Sequence, residues 1–398
     1  MTISDLKTPC FIFDQQEFCK SVSGFQDALS CVTEDCIIGY SVKTNSLPYV
    51  LSFAKVLGCY AEVVSYDEYQ LALICGYEPA HIIYNGPMKS KATLLEAVQK
   101  GAIVNIETKR EIEWLKDLPI NGSYPIGIRL NINISRISPD DADGGNDFSR
   151  FGFSDETTDF REAIFTIQSI PQVRLVGLHI HRTTHSRSID FYRRSIRYAA
   201  NVAKKYNLCL SYLDVGGGYF GIFPNKPTYV DYSRAISAAC LENGLGHIKV
   251  IVEPGNALHA SSFAFLSEVI DVKQIERELY NVTTDGSRND IDPFFRKSRY
   301  LFQLVRQTTN TSEVLRQIIS GCTCLEYDQL MELKDEPLLQ VGDRILYNNV
   351  GAYTMALTPM FIRYIPRVYT YKEGEYYLVR QEWTANEYVI RNLIYKES

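Results

Sequence analysis

Short apolar runs alternate with amphipathic segments along most of the first 255 residues. The apolar runs, rich in β-branched residues, predict eight strands: Cys36–Lys43, Cys59–Ser65, Ile82–Asn85, Ile103–Glu107, Pro125–Asn131, Leu175–His181, Tyr212–Gly216 and Lys249–Glu253. The amphipathic segments predict helices between them: Tyr66–Cys75, Ser90–Lys100, Lys109–Leu118, Thr157–Ser169, Ser188–Tyr206 and Tyr229–Asn243. Eight strand-then-helix units favour an α/β fold with a closed parallel (β/α)8 barrel. An open doubly wound sheet is the alternative.

The pattern changes after Gly255, where helix signals fade and alternating strands are predicted: Phe265–Ile275, Tyr280–Thr284, Arg344–Tyr347 and Tyr376–Arg380. A strand at Cys10–Asp14 and a helix at Gln15–Leu29 precede the barrel, and we expect the strand to pair into the second domain. The sequence therefore predicts a barrel over residues 30–260. A β-rich domain is expected from residues 1–29 and 261–398.

Composition narrows the function class. The 398 residues are 45% hydrophobic and 22% charged, which suits two packed domains. The net charge is -6 and no long basic block occurs, so neither nucleic acid nor an anionic membrane is an expected partner. We find no apolar run long enough for a membrane span and no signal segment at the first residues. Ten scattered cysteines without zinc-type spacing predict free thiols, no metal site and a reducing, cytoplasmic location.

Polar or special residues stand at or near the ends of the predicted barrel strands: Lys43, Glu62, Ser65, Asn85, Glu107, Arg129, Asn131, His181, Gly216 and Glu253. In a (β/α)8 barrel the active site lies at the carboxyl ends of the strands. The pattern therefore predicts a site at that face. The acidic loop Arg136–Arg150 is either a mobile flap near the site or an ordinary solvated loop.

Two features, at the ends of the first and seventh predicted barrel strands, suggest a phosphate-bearing carbonyl cofactor. Lys43 leaves the first strand and can attack a carbonyl once it loses its charge, although a snorkelling surface lysine is the simpler interpretation. The run Asp214-Val215-Gly216-Gly217-Gly218-Tyr219-Phe220-Gly221 fits a dinucleotide pattern, but Pro224 and Pro227 prevent the helix that such a site needs. The run is then either a phosphate cradle or a tight turn.

Glu253 completes a site for pyridoxal phosphate. A carboxylate beside the pyridine nitrogen keeps that nitrogen protonated, which makes the ring an electron sink. His181 is placed to stack on the ring, although a lone histidine is more often a core residue.

The segment Tyr40-Ser41-Val42-Lys43-Thr44-Asn45 resembles the lysine motif of the fold-type III pyridoxal-phosphate decarboxylases, a family that includes diaminopimelate, ornithine and arginine decarboxylases. Further segments resemble that family in the same order along nearly the whole chain: Glu62-Val63-Val64-Ser65 with Glu68, Ile82-Ile83-Tyr84-Asn85-Gly86-Pro87, Arg129-Leu130-Asn131, Ser149-Arg150-Phe151-Gly152, Gly177-Leu178-His179-Ile180-His181, the glycine run, Glu253-Pro254-Gly255, Asp285-Gly286, Gly321-Cys322-Thr323-Cys324 to Asp328, and Gly351-Ala352-Tyr353.

The resemblance implies roles for individual residues. Lys43 would hold the cofactor covalently, and His181 would stack on its ring. The phosphate would be bound by Gly216, Gly217 and Gly218 with help from Tyr353, while Glu253 would pair with the ring nitrogen. In a homodimer with active sites at the interface, Cys324 and Asp285 would come from the second subunit, Cys324 as the proton donor. The substrate, a small amino-acid-type molecule, would meet four residues: Asp285, Asp328, Leu325 and Arg129.

Three departures from the family pattern bear on the substrate and the phosphate. Asn256 stands where the family has arginine after Glu-Pro-Gly, so one phosphate cation is missing. Arg182, Thr183 and Thr184 follow the histidine in place of small residues, and Arg182 is our candidate for the missing charge or for a substrate carboxylate. Leu325 replaces an acid that reads the distal group of basic substrates, which favours a modified or conjugated amino acid.

Two other functions remain open from the sequence. A racemase with this barrel would carry an arginine at the ring nitrogen, and Glu253 argues against it. A catalytically inactive binding protein is conceivable because of Asn256 and Leu325, but Lys43, Glu253 and Cys324 are all retained. The expected activity is therefore α-decarboxylation in a biosynthetic pathway.

Overall fold

A computed structural model describes residues 2–31, 35–142, 149–182, 184–221, 223, 225–307, 312–358 and 360–395. The chain divides into two compact units, a barrel unit at Lys20–Leu258 and a β-rich unit formed by Met1–Cys19 with His259–Ser398. The division falls inside the first helix, whereas the sequence pattern places the boundaries after residues 29 and 260. None of the helices in the described ranges is long and apolar enough to cross a membrane.

The chain begins with β1 (Cys10–Asp14) and α1 (Gln15–Ser30) and then enters the barrel. The strands of the barrel unit are β2 (Cys36–Ser41), β3 (Tyr60–Ser65), β4 (Ile82–Met88), β5 (Ile103–Ile106), β6 (Tyr124–Asn131), β7 (Phe153–Ser154), β8 (Val173–His179), β9 (Tyr212–Asp214) and β10 (Lys249–Val252). Its helices are α2 (Pro48–Val56), α3 (Tyr66–Ile74), α4 (Lys91–Gln99), α5 (Lys109–Leu115), α6 (Ile134–Ile137), α7 (Asp159–Gln168), α8 (Ile189–Lys205), α9 (Tyr229–Glu242) and α10 (Gly255–His259).

The barrel is closed and parallel. Its strands follow the order β5-β4-β3-β2-β10-β9-β8-β6, and β5 pairs with β6 to complete the ring, while the short β7 flanks β6. The predicted (β/α)8 barrel is thereby confirmed, and the open sheet is excluded. Each carboxyl end of a strand points to the same face of the barrel, which is where the polar residues of the sequence pattern stand.

Serine and threonine caps start several helices of the barrel unit. Ser65, Ser90, Thr108, Ser188 and Thr228 each accept a hydrogen bond from the backbone N–H three residues further on. Such caps satisfy the free N–H groups of a first helical turn. Ser65, Ser90 and Thr108 stand within two residues of the ends of β3, β4 and β5, so these three caps turn the chain away from the barrel mouth directly after the strands.

Tyr212 fills the lower part of the barrel interior. A Cβ added at Gly127 or Gly177 would lie 2.2 Å or 2.0 Å from the phenol of Tyr212, so both strands need glycine there. The buried hydroxyl donates to Asn105 Oδ1 at 2.8 Å. The hydroxyl of Tyr212 therefore connects the apolar lower part of the barrel interior to a layer of polar side chains that includes Asn105.

The β-rich unit is one sheet of nine strands. Its elements after the barrel are β11 (Phe263–Glu276), β12 (Leu279–Thr284), α11 (Arg288–Ile291), β13 (Leu301–Val305), β14 (Glu313–Ser320), β15 (Gln329–Pro337), β16 (Arg344–Asn348), β17 (Arg367–Lys372), β18 (Glu375–Arg380) and α12 (Ala385–Val389). The order is β15-β14-β12-β11-β1-β17-β18, and β16 pairs with both β11 and β13. β1 lies antiparallel to β11 and parallel to β17, which confirms the expected pairing of the first strand.

Strand ends differ from the sequence pattern at the site. β2 ends at Ser41, and Lys43 lies in a 3-10 turn, Val42–Thr44, that follows it. β8 and β9 end at His179 and Asp214, two residues before His181 and Gly216. The chemistry-bearing residues therefore stand on turns just after the strands, which apolar patterning alone cannot separate from the strands themselves.

Candidate active site

Lys43 is tethered but reachable. Its Nζ donates to Ser41 Oγ at 2.8 Å and forms an ion pair with Glu62. The lysine side chain is 29% exposed, whereas that of Glu62 is 1% exposed. Ser41 Oγ in turn donates to Glu62 Oε2 at 2.6 Å. An amine held this way is aimed at one point near the barrel mouth and is still open to a carbonyl compound.

Asn85 connects Glu62, on the second barrel strand, to Glu253, which directly follows the last strand. Its Nδ2 donates to Glu62 Oε1 at 3.2 Å and to Glu253 Oε1 at 2.6 Å. Its side-chain oxygen, Oδ1, accepts a hydrogen bond from Asn105 Nδ2 at 2.8 Å. The two acids of the predicted site are thereby held in one buried network that starts at Lys43.

Glu253 forms a carboxyl pair with Asp214. Both side chains are fully buried and hydrogen-bonded to each other, and Asp214 also accepts from the Gly216 N–H at 3.0 Å. Burial raises the pKa of Asp214 to about 7. Burial, and then the charges of Asp214 and Glu62, raise the pKa of Glu253 well above its usual range. A hydrogen bond between two carboxyl groups needs one proton, so the pair holds one proton between its two members.

His181 presents a neutral ring to the site. Its Nδ1 accepts the N–H of Gly217 at 2.8 Å and lies 3.7 Å from Glu253 Oε2. Burial, followed by the positive charges of Arg129, Lys43 and Arg182, lowers the pKa of His181 well below the ordinary histidine value. The backbone hydrogen bond fixes the ring orientation, and an uncharged imidazole suits stacking on a flat ligand.

A metal ion fits the group of His179, His181 and Glu253 less well than an organic ligand does. His179, His181 and Glu253 bring ligand atoms within 4.8 Å of one another. However, His181 Nδ1 already accepts a backbone hydrogen bond, and Glu253 is already bonded to Asn85 and Asp214. Two of the three candidate ligands, His181 Nδ1 and Glu253, are thus already engaged by the protein, which suits an organic ligand in front of them better than an ion between them.

The glycine run forms a close-fitting turn. Gly216 and Gly218 have φ values of +73° and +93°, a region that favours glycine. A Cβ at Gly216 would lie 2.4 Å from His181 Nδ1, and one at Gly217 would lie 2.3 Å from the Glu253 carbonyl oxygen. Side-chain-free backbone of this kind is what a phosphate cradle requires. The nearby lysine, carboxylate and neutral imidazole fit the remaining parts of pyridoxal phosphate.

Arg129 is held by the protein. Its Nη1 donates to Glu107 Oε1 at 2.8 Å and its Nη2 donates to the His181 carbonyl at 3.0 Å. These contacts hold the backbone of the stacking histidine, and the substrate contact stays a prediction. Arg182 is half-buried, and its cofactor-binding role also stays a prediction.

The β-rich unit holds the other predicted residues. Cys324 and Leu325 line a cavity of about 670 Å³ with Thr323, and Cys324 is exposed. Asp328 also lines the cavity but is buried. It accepts from Thr323 Oγ1 at 2.5 Å and from the Arg288 N–H at 2.8 Å. Its observed role is to shape the loop, and its substrate contact stays a prediction.

Asp285 and Tyr353 lie elsewhere in that unit. Asp285 Oδ1 accepts the Glu268 N–H at 2.8 Å, and burial raises the pKa of its carboxyl group. Tyr353 has φ +54° and is 39% exposed. Both carry groups that a ligand could meet, and their assigned roles remain predictions.

Sequence reasoning missed three contributors to the barrel site: Ser41, Asn105 and Asp214. Ser41 and Asp214 belong to segments quoted above but were given no role there, and all three are polar residues within apolar strands. That combination, a polar residue in a strand that must be buried on both faces, was the available signal.

Comparisons with known proteins agree with this geometry. A family described as "Pyridoxal-dependent decarboxylase, pyridoxal binding domain" matches residues 16–260. A probable chloroplastic diaminopimelate decarboxylase of Oryza sativa is 27% identical over 367 residues, which cover 89% of this chain and 73% of that protein. An L-glutamyl-[BtrI acyl-carrier protein] decarboxylase of Niallia circulans is 24% identical over 380 residues, covering 89% and 87%.

Solved structures share the fold. The diaminopimelate decarboxylase of Helicobacter pylori, complexed with L-lysine, superposes with a TM-score of 0.81 at 23% identity, over 97% of this chain and 96% of that one. The M. jannaschii diaminopimelate decarboxylase, also with L-lysine, gives 0.83 at 21% identity, over 97% and 92%. The family match spans more than half of the chain and includes the lysine, the glycine run and the buried glutamate, and the chain belongs to the pyridoxal-dependent decarboxylases.

Proposed function

We propose that this chain removes the α-carboxyl group of a modified or conjugated amino acid, using pyridoxal phosphate bound at the barrel mouth. One observation carries the proposal. A continuous buried hydrogen-bond network joins Lys43, Glu62, Asn85 and Glu253. It places an amine and an acid at two fixed points, as a cofactor with an aldehyde and a ring nitrogen requires.

Each barrel residue has one task in this proposal. When bound, the cofactor supplies a ring that accepts the electrons left on Cα as carbon dioxide departs. Lys43 would supply the amine that holds the cofactor aldehyde. Glu253 would hold the proton at the ring nitrogen, His181 would lie against the ring face, and the N–H groups of the glycine run would bind the phosphate.

The proton that returns to Cα is assigned to Cys324 of a second subunit. Asp285 and Tyr353 are assigned to the same shared site, at the distal end of the substrate and at the phosphate. Mixing the two inactive variants Lys43→Ala and Cys324→Ala tests this arrangement. A homodimer with shared sites regains activity in the mixture, whereas sites built within single chains stay inactive.

The substrate class rests on Leu325. An apolar side chain in this loop offers no charge to a distal ammonium group, and the similar Niallia circulans protein carries the name of a decarboxylase for a carrier-protein-bound glutamyl group. We expect carbon dioxide release from N-acylated or otherwise conjugated amino acids in a screen of both enantiomers. Release confined to free lysine or ornithine would contradict this assignment.

The function itself is tested by borohydride reduction of the purified protein with pyridoxal phosphate, followed by peptide mapping. The reduced pyridoxyl group is expected on Lys43. It should vanish in Lys43→Ala and persist in Lys91→Ala, which changes an exposed lysine. A protein that binds no cofactor would be the inactive binding protein considered above, and a product of unchanged mass and inverted configuration would indicate a racemase.

The proposed setting is the reducing cytoplasm. All ten cysteines are free, and burial raises the pKa of several of them, Cys10 and Cys59 to about 12. Thiols held in the protonated form react slowly with oxidants. Carbon dioxide release by a cytosolic fraction of the source cells would support this location, and its confinement to a membrane or secreted fraction would contradict it.

A further inference from the structure

We propose that Arg187 supplies the guanidinium that binds the phosphate of the cofactor, in place of the cation that the chain lacks at Asn256. The inference rests on the pyridoxal phosphate site proposed above and goes beyond it by assigning a residue outside every motif of the family resemblance. It concerns the glycine loop, defined as Gly216–Phe220.

The side chain of Arg187 lies against the glycine loop. Its Nη1 donates to the carbonyl oxygen of Tyr219 at 3.2 Å. Its Cζ lies 4.9 Å from the centre of the Phe220 ring. Tyr219 directly follows Gly218, so the guanidinium reaches the same few residues whose backbone forms the cradle.

The backbone of Arg187 is fixed from two sides. Its N–H donates to Thr184 Oγ1 at 3.0 Å, and its carbonyl accepts from the Tyr232 hydroxyl at 2.8 Å. The same hydroxyl accepts the Phe220 N–H at 3.4 Å. Tyr232 therefore anchors both the arginine turn and the glycine loop, which keeps their separation constant.

The neighbouring residues in the turn are held as well. Asp141 is buried and accepts hydrogen bonds from the hydroxyls of Ser186 and Ser188, the latter at 2.8 Å. Arg187 itself has φ +47°, a conformation that costs energy for a residue with a side chain. A strained turn that is held by the hydroxyl groups of Thr184, Ser186, Ser188 and Tyr232 is a way to aim one side chain.

Arg187 retains unused donors. A guanidinium carries five N–H groups, of which one reaches Tyr219, and none meets a carboxylate among the residues that the structure describes. Such a group binds a phosphate through two parallel hydrogen bonds. The half-buried position reduces competition from water.

Two other cations are less suited. Lys226 lies 5.0 Å from the same Phe220 ring, but its side chain is exposed. Arg182 stands next to the stacking histidine, where its charge lowers the pKa of His181. Arg187, by contrast, donates a hydrogen bond directly to the glycine loop at Tyr219.

The test measures cofactor binding in the full-length protein. In Arg187→Gln, the dissociation constant for pyridoxal phosphate should rise about 10- to 100-fold, as expected for the loss of a charge-assisted hydrogen bond. The dissociation constant for pyridoxal, which has no phosphate, should stay unchanged. In ³¹P NMR of the cofactor-loaded Arg187→Gln protein, the pKa of the bound phosphate should lie nearer its ordinary value of about 6 than in the wild type.

Controls separate the outcomes. Arg193→Gln, an exposed arginine paired with Asp190, should leave both affinities unchanged, and Lys226→Gln should change the phosphate affinity less than twofold. Equal weakening for pyridoxal and pyridoxal phosphate would show that Arg187 only shapes the loop and would overturn the proposal. A phosphate-selective loss in Arg182→Gln instead would also overturn it. A wild-type protein that binds neither compound would defeat the proposed function itself.

Discussion

The barrel site and the Cys324 loop, residues Gly321–Asp328, are organised in different ways. In the barrel, side chains from separate strands hold one another, so that Glu62, Asn85 and Glu253 each have several buried partners. In the loop, one buried residue, Asp328, binds the surrounding backbone and hydroxyl groups, while Cys324 and Leu325 lie on the wall of an open cavity.

The two regions differ in how many residues hold them in place. A network with many mutual contacts tolerates little change, which suits a cofactor that is the same for every substrate. A loop shaped by a single residue leaves its other positions free to vary. If Leu325 contacts the substrate as proposed, its replacement should change the substrate preference without changing the affinity for the cofactor.

The largest effect is expected at the centre of the network. Glu253→Gln removes the charge opposite the ring nitrogen, so kcat should fall by about 10²–10³-fold with little change in KM. Steady-state kinetics on the substrate identified by the carbon dioxide screen measure this. Glu113→Gln, which changes an acid in an exposed ion pair, serves as the control. A kcat within threefold of wild type in Glu253→Gln would contradict the proposed role of the barrel network in the reaction.

A somewhat smaller loss is expected in the loop. Cys324→Ala removes the assigned proton donor, so kcat should fall by about 10²-fold while cofactor binding stays intact. Cys322→Ala is the matched control, because that thiol lies in the same loop and burial raises its pKa. Equal losses in the two variants would mean that the loop acts through packing alone.

Asp328 tests whether one residue does organise the loop. Asp328→Ala leaves buried donors from Thr323, Ser287 and Arg288 without their acceptor. We expect a loss of about 1–3 kcal/mol in the free energy of unfolding, measured by urea denaturation. Asp271→Asn, in an exposed ion pair, should change it little. A large rise in KM with unchanged stability would instead support the predicted direct contact with substrate.

The smallest effect concerns pH in the network. Because the pKa of Asp214 is about 7 in the folded protein and 3.8 in the reference state, the folded state binds a proton that the unfolded chain releases. The free energy of unfolding of the cofactor-free protein should therefore fall as pH rises from about 4 to above 7. Asp214→Asn should make the free energy of unfolding less dependent on pH, by up to one proton exchanged per molecule on unfolding. Asp190→Asn, which changes an exposed acid, should leave the pH dependence unchanged. Denaturation at a series of pH values checks it, and identical slopes in the two variants would mean that the pair holds no proton.

Much of this molecule can be predicted from local patterns. The alternation of strands and helices identified the barrel, and Cys10–Asp14 was predicted with its observed bounds. Lys43 and the glycine run were recognisable because both need special backbone surroundings. These features depend on neighbours in sequence, which is why a single chain suffices to predict them.

Contacts across the barrel could not be predicted. The pairing of Asp214 with Glu253 depends on the register of β9 against β10, and the bridge through Asn85 crosses the interior. Strands β13, β14, β15 and β17 were also missed. In β14, for instance, Glu313–Ser320 mixes exposed charged residues with few buried ones, so that its alternation is weak.

The position of β1 has a consequence for the way the protein is made. This strand leaves the ribosome before the barrel, whereas its two neighbours in the sheet, Phe263–Glu276 and Arg367–Lys372, follow only after the entire barrel. At ordinary rates of translation the strand waits for roughly tens of seconds before β17 exists. During synthesis the barrel therefore has time to form while this apolar strand is still unpaired, and a chaperone that shields Cys10–Asp14 would act in that interval.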